Sequence, residues 1–135
     1  MTLSLVFQMY TKPKEVKAVN VLELKFQYNV EDYITFSIRV VCDDYSGKAE
    51  FCISKHKLIE KLTELEGLYN NLVGSCRMDD YDSDDFMLFE MESLGHMTIT
   101  GQLGGSYHIP YLKYQYYTDQ TVLAEIISSF RSMVE

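Results

Sequence analysis

Tryptophan is absent from this chain, and proline occurs only 2 times and glycine 7 times. So small a supply of linker-type residues, beside 47% hydrophobic residues, excludes a disordered or low-complexity chain. The 135 residues fit one domain, residues 1–135, large enough to bury roughly two-thirds of its unfolded surface. Positive charge is scarce as well. Lysine and arginine number 12 against 20 acidic residues, giving a formal net charge of −8 and a pI near 4.8. The bases fall in small groups, Lys12, Lys14 and Lys17 and then Lys55, Lys57 and Lys61, with no concentrated basic face. That excludes nucleic acid as the expected partner and favours a basic macromolecule through electrostatic steering. The 3 cysteines are odd in number and lack close-paired spacing, so no disulfide framework is expected. No apolar run is long enough to span a bilayer, and the apolar residues 1–10 precede the first lysines, the reverse of a signal peptide. A cytoplasmic protein that does not engage membranes is the expectation.

What is present is alternation. Leu3, Leu5, Phe7 and Met9 alternate with Thr2, Ser4 and Gln8, and Lys12-Pro13-Lys14-Glu15 follows as a loop. Leu22, Leu24, Phe26 and Tyr28, then Ile34, Phe36, Ile38, Val40 and Cys42, repeat the two-residue period of half-buried strands. After a turn over residues 43–47, Ala49, Phe51 and Ile53 supply the next strand. Pairing Val40 with Phe51 and Ile38 with Ile53 puts every apolar side chain on one face. That register sets Cys42 opposite Ala49 and turns Cys52 to the other face, so these two cannot bridge.

Ser54 is the natural N-cap of a first helix, whose stripe is Leu58, Leu62, Leu65, Tyr69 and Leu72. Lys57 and Lys61 lie opposite, with Glu60 and Glu64 available for surface pairs. Gly67 suggests close packing in that helix, and Gly74 suits a left-handed stop. A short apolar and basic segment, residues 75–78, leads into the acidic stretch. Residues 86–92 and 96–103 form a second hairpin around Ser93-Leu94-Gly95, with Phe89 opposite Ile99 and Met91 opposite Met97. Gly104-Gly105 turns the chain into a tyrosine-rich strand over residues 106–117, where Pro110 predicts an edge or a bulge. A last helix begins at Thr118 or Asp119 and carries Val122, Leu123, Ile126, Ile127, Phe130, Met133 and Val134. The predicted fold class is α+β. A largely antiparallel sheet of about six to eight strands is covered by two amphipathic helices, in the order β-rich, α, β-rich, α.

The candidate site is Asp79-Asp80-Tyr81-Asp82-Ser83-Asp84-Asp85, expected to be a solvated acidic patch. Asp80, Asp82 and Asp84 mimic the first ligands of a calcium loop. The match fails because Asp85 stands where the sharp turn needs glycine and Met91 where the closing carboxylate belongs. His56, His96 and His108 have no ligand at short metal spacing, so neither a metal nor any other cofactor is expected. His96 is expected across from Glu92 as ordinary cross-strand chemistry. A Cys–His hydrolase would need Cys52 or Cys76 beside one of these histidines, and buried inert cysteine is the commoner arrangement. Glu90 and Glu92 fit the solvent side of an alternating strand. Tyr107, Tyr111, Tyr114, Tyr116 and Tyr117 divide between core and surface contact area. A solvated connector is the plain reading of such a cluster, and between it and a calcium loop lies a third, a protein-recognition patch with carboxylates for arginine and one aromatic anchor.

Several segments resemble the WapI-type immunity proteins. Leu62-Thr63-Glu64-Leu65 through Leu68-Tyr69-Asn70-Asn71-Leu72-Val73-Gly74 is similar to that family's first-helix signature. Thr98-Ile99-Thr100-Gly101-Gln102-Leu103 resembles its last-but-one strand. Leu112, Tyr114 and Thr118-Asp119-Gln120-Thr121-Val122-Leu123 resemble its final strand and helix entry. The likeness runs in order over residues 21–134, and departs where Glu31-Asp32-Tyr33-Ile34-Thr35-Phe36 lacks the tryptophan that members often carry. The resemblance implies a cytoplasmic, non-catalytic antitoxin that occludes a basic toxin domain, frequently a nuclease. The partner-binding residues are then expected to be Asp79, Asp80, Tyr81, Asp82, Asp84 and Asp85. A small intracellular enzyme with a pocket between sheet and helices, or a dimerisation module using the tyrosine strand, are the alternatives.

Overall fold

The structure, a computed structural model, describes residues 20–42, 44–105 and 110–135, and the backbone of residues 2–7, 10–12 and 15–16. Met9, Pro13, Lys14, Asp43, Tyr107 and His108, on which parts of the sequence reading fell, lie outside the described residues.

The alternating segments form strands β1 (Thr2–Phe7), β2 (Tyr10–Lys12), β3 (Glu15–Val16), β4 (Asn20–Val30), β5 (Tyr33–Cys42) and β6 (Tyr45–Ser54). Helix α1 (Lys55–Asn71) follows, then β7 (Ser75–Asp79), β8 (Phe86–Met91), β9 (His96–Leu103), β10 (Leu112–Asp119) and α2 (Gln120–Val134). The α+β class is as expected, but the described strands make two antiparallel sheets where the sequence suggested one. The first has the order β1-β4-β5-β6 and the second β3-β2-β10-β9-β8-β7. No described helix is long and apolar enough to cross a membrane.

The β5–β6 hairpin is tighter than the turn residues implied. Phe36 faces Phe51, Ile38 faces Ala49, and Cys42 faces Tyr45 instead of Ala49. The shift is four residues, an even number, so the apolar side chains keep their common face. Residues 75–78 are not a connector. They belong to β7, with Cys76 and Met78 buried and Cys76 opposite Phe89. The β8–β9 hairpin has the expected register, Phe89 to Ile99 and Met91 to Met97. Pro110 precedes β10 and does not mark an edge, because β10 lies inside its sheet between β2 and β9.

Ser54 caps α1 by accepting the amide hydrogen of Lys57 at 3.1 Å, and Asp119 caps α2 through the amide of Thr121 at 2.9 Å. The buried stripe of α1 is Leu58, Leu62, Leu65 and Leu68, whereas Tyr69 and Leu72 reach solvent. A Cβ added at Gly67 would meet nothing within 4 Å, so no close approach requires glycine there, and the left-handed stop falls on Leu72, ahead of Gly74. One core unites both sheets and both helices. Phe36 stacks on Phe51 at 5.2 Å and meets the Phe130 ring of α2 edge-on at 5.4 Å. Tyr116 of β10 crosses to the first sheet, donating its hydroxyl to the carbonyls of Val21 and Val41 at 3.0 and 3.1 Å. Tyr116 therefore faces the other sheet. Tyr114 lies over Gly101, where an added Cβ would stand 2.2 Å from its hydroxyl.

Candidate functional site

The acidic stretch links β7 to β8, and its backbone is held at three places. The Asp80 carboxylate accepts the Cys52 amide at 2.7 Å and the Ser83 hydroxyl at 2.6 Å. The Tyr81 amide donates to the Cys52 carbonyl at 2.8 Å, so the loop lies against the outer edge of β6. At the far end, the two Asp85 oxygens accept the amides of Gly104 and Gly105 at 2.9 and 2.6 Å. Successive amides converging on one anion make a nest. An added Cβ at Gly105 would stand 3.0 Å from the same carboxylate and 2.0 Å from the Gln102 amide nitrogen, so a side chain there would displace the Gln102 amide group. The Asp80 amide closes the loop on the Asp85 carbonyl at 2.9 Å, and the Asp84 amide reaches the Gly105 carbonyl at 3.0 Å. The loop thus ties the first sheet to the second.

This divides the six expected contact residues. Asp80 and Asp85 are 9% and 3% exposed, so the stretch is not uniformly solvated. Burial of a carboxylate demands hydrogen-bond donors, and the backbone amides supply them. Tyr81, at 68% exposure, projects outward with Asp79, Asp82 and Asp84. Asp79 is held by Arg77 at 2.9 Å, and the Arg77 guanidinium lies 4.1 Å above the Phe86 ring. Asp82 and Asp84 are the acids left facing solvent.

Tyr33, at the start of β5, places its ring 5.0 Å from that of Tyr81. Its hydrogen bond with Tyr81, reinforced by the charge of the neighbouring phenol, holds the Tyr33 phenol above its ordinary pKa. The two rings border a groove of about 470 Å³. Lys57 and Lys61 also line it, and pair with Glu60 at 3.5 Å and Glu64 at 3.4 Å. The surface is therefore mixed in charge, with carboxylates, phenols and ammonium groups around one groove. Tyr33, Lys57 and Lys61 were missed as members of it. Helical spacing put the lysines on a solvent face, but no sequence signal joins Tyr33 to Tyr81, 48 positions away.

No match to this chain is found among family models, curated proteins or solved structures.

The reactive groups are quiet. Burial raises the Cys52 thiol above its ordinary pKa, against a smaller lowering by its hydrogen bond to Thr35. Burial likewise pushes Cys76 up to about 12. Both thiols stay protonated near neutrality, which disfavours nucleophilic attack. His56 pairs with Glu60 at 3.3 Å on the surface of α1. Across the β8–β9 turn the Glu92 amide donates to the His96 carbonyl at 2.6 Å, while the Glu92 carboxylate accepts the Thr98 hydroxyl at 3.0 Å. Among the described residues no three His, Cys, Asp or Glu side chains gather as metal ligands would.

Proposed function

We propose that this chain is a cytoplasmic immunity protein that binds a cognate toxin domain of basic surface and blocks it by occlusion, without turnover. The observation that carries this reading is the anchored loop. Two buried aspartates fix its backbone on both sheets, so that Tyr81, Asp82 and Asp84 are presented in one conformation. Preorganisation of that kind lowers the ordering cost of association. An exposed tyrosine flanked by carboxylates offers aromatic contact and bidentate acceptors for arginine. The net charge of −8 adds long-range attraction toward a basic face. The resemblance of residues 21–134 to WapI-type immunity proteins points the same way.

The test is co-expression of this chain with the carboxyl-terminal domain of the protein encoded by the adjacent upstream gene, which this reading expects to be toxic. Growth should be restored, and a stable complex with an inactivated form of that domain should purify. Absence of both complex and protection would sink the proposal.

A further inference from the structure

Sheet edges are where a chain stands open to another backbone. Strand β6 is an edge of the four-stranded sheet, and its ten residues pair with β5 without a bulge or proline. In such a strand the amide and carbonyl of one residue face the neighbour, and those of the next face outward. Cys52 marks the outward set, since its amide and carbonyl are taken by Asp80 and Tyr81. The same alternation turns the amides and carbonyls of Ser46, Lys48 and Glu50 outward. All three residues are exposed, and among the described residues none of these backbone groups meets a partner.

We infer that this edge receives an extended segment of the toxin domain as a fifth strand beside Ser46, Lys48 and Glu50, with a basic side chain opposite Glu50. The inference rests on the toxin-binding reading and adds its mode of attachment. Backbone pairing supplies affinity, and alternate side chains supply selectivity. At Cys52 the Asp80–Tyr81 loop already holds the strand position, so the incoming segment ends there, against Tyr81 and Asp82. The open edge and the exposed loop then form one continuous surface. A second copy of this chain is a poor occupant. The antiparallel register that sets Lys48 opposite that copy's Glu50 would put its Ser46 on Cys52, where Tyr81 stands. Two chains of formal charge −8 also repel.

The experiment uses the full chain and the inactivated toxin domain. Amide hydrogen exchange at Ser46, Lys48 and Glu50 should slow in the complex. Lys48→Pro removes an outward amide that β5 does not use, so Kd should rise about tenfold, against roughly twofold for Lys48→Ala. Equal affinity of the two variants with unchanged exchange in a wild-type complex would overturn strand addition and leave the toxin reading standing. Failure of the wild type to form any complex would overturn both. If Lys48→Pro does not fold, exchange on the wild type decides alone. Sedimentation of the free chain as a dimer that Lys48→Pro dissolves would make a second copy the occupant and also overturn the inference.

Discussion

Tyr114 and Tyr116 lie two residues apart on β10, both buried, yet their hydroxyls differ in what they meet. Tyr116 bonds two carbonyls of the first sheet, whereas the Tyr114 hydroxyl meets no hydrogen-bond partner among the described residues. An unpaired buried hydroxyl costs about 1–3 kcal/mol, and a paired one is missed by a similar amount when deleted. Tyr116→Phe should therefore lower the unfolding free energy by about 1–3 kcal/mol, while Tyr114→Phe should leave it unchanged or raise it. Urea unfolding of the two variants separates them, and equal losses would contradict this account. Gly101 belongs to the same arrangement, because only a residue without Cβ leaves room for the Tyr114 ring.

At the scale of elements, two connections carry leucine where left-handed backbone favours glycine. Leu72 ends α1 at φ 57°, and Leu94 turns β8 into β9 at φ 58°. Left-handed geometry costs an L-residue about 1–2 kcal/mol. Leu94 is 92% exposed, so replacing it forfeits no packing. Leu94→Gly should raise the thermal midpoint, by the equivalent of about 1 kcal/mol, and a fall would show that the leucine packs after all. The contact of β7 with α1 gives a second prediction. Cys76 is buried there, with its thiol against the Lys61 carbonyl at 3.8 Å, and burial raises its pKa from 9.0 to about 12. A pKa raised by folding stabilises fully below the unfolded value and is lost as pH climbs through the interval, here from pH 9 to 12. Wild-type stability should decline between pH 9 and 10, where Cys76→Ala should be flatter by up to about 1 kcal/mol. Buried Tyr114 and Tyr116, also raised chiefly by desolvation, add their losses at higher pH.

For the whole molecule, the loop from Asp80 to Asp85 joins two sheets that also meet through apolar side chains and the Tyr116 hydroxyl. Charge on it therefore does two separable jobs. Asp85→Asn would turn an amide group toward one of the Gly104 and Gly105 amides, and should cost about 2 kcal/mol of stability. Asp82→Asn and Asp84→Asn should change stability by less than about 0.5 kcal/mol. They should nonetheless slow association with a basic toxin domain at low salt and flatten its salt dependence. Stopped-flow rates at two ionic strengths, with unfolding curves for all three variants, test this division. Destabilisation by the Asp82 variant, or unaltered kinetics, would contradict it.

Local pattern was enough for much of this protein. Two-residue alternation located β4, β5 and β6, the capping residue Ser54 located the start of the first helix, and the turn at residues 93–95 paired Phe89 with Ile99. These are contests among neighbours within about twenty positions, which a sequence displays directly. The hairpin register at Cys42 slipped by four because alternation fixes the face of a strand and leaves its offset to the turn. The separation into two sheets, the strand at residues 75–79 and the inward turn of Asp80 and Asp85 were decided by tertiary structure. Each depends on partners brought from elsewhere in the chain: the Cys52 amide for Asp80, the Gly104 and Gly105 amides for Asp85, and Phe89 for Cys76. A run of aspartates looks uniform in sequence because charge is a property of the residue. Whether that charge faces water or a backbone amide is set by what the folded chain places beside it.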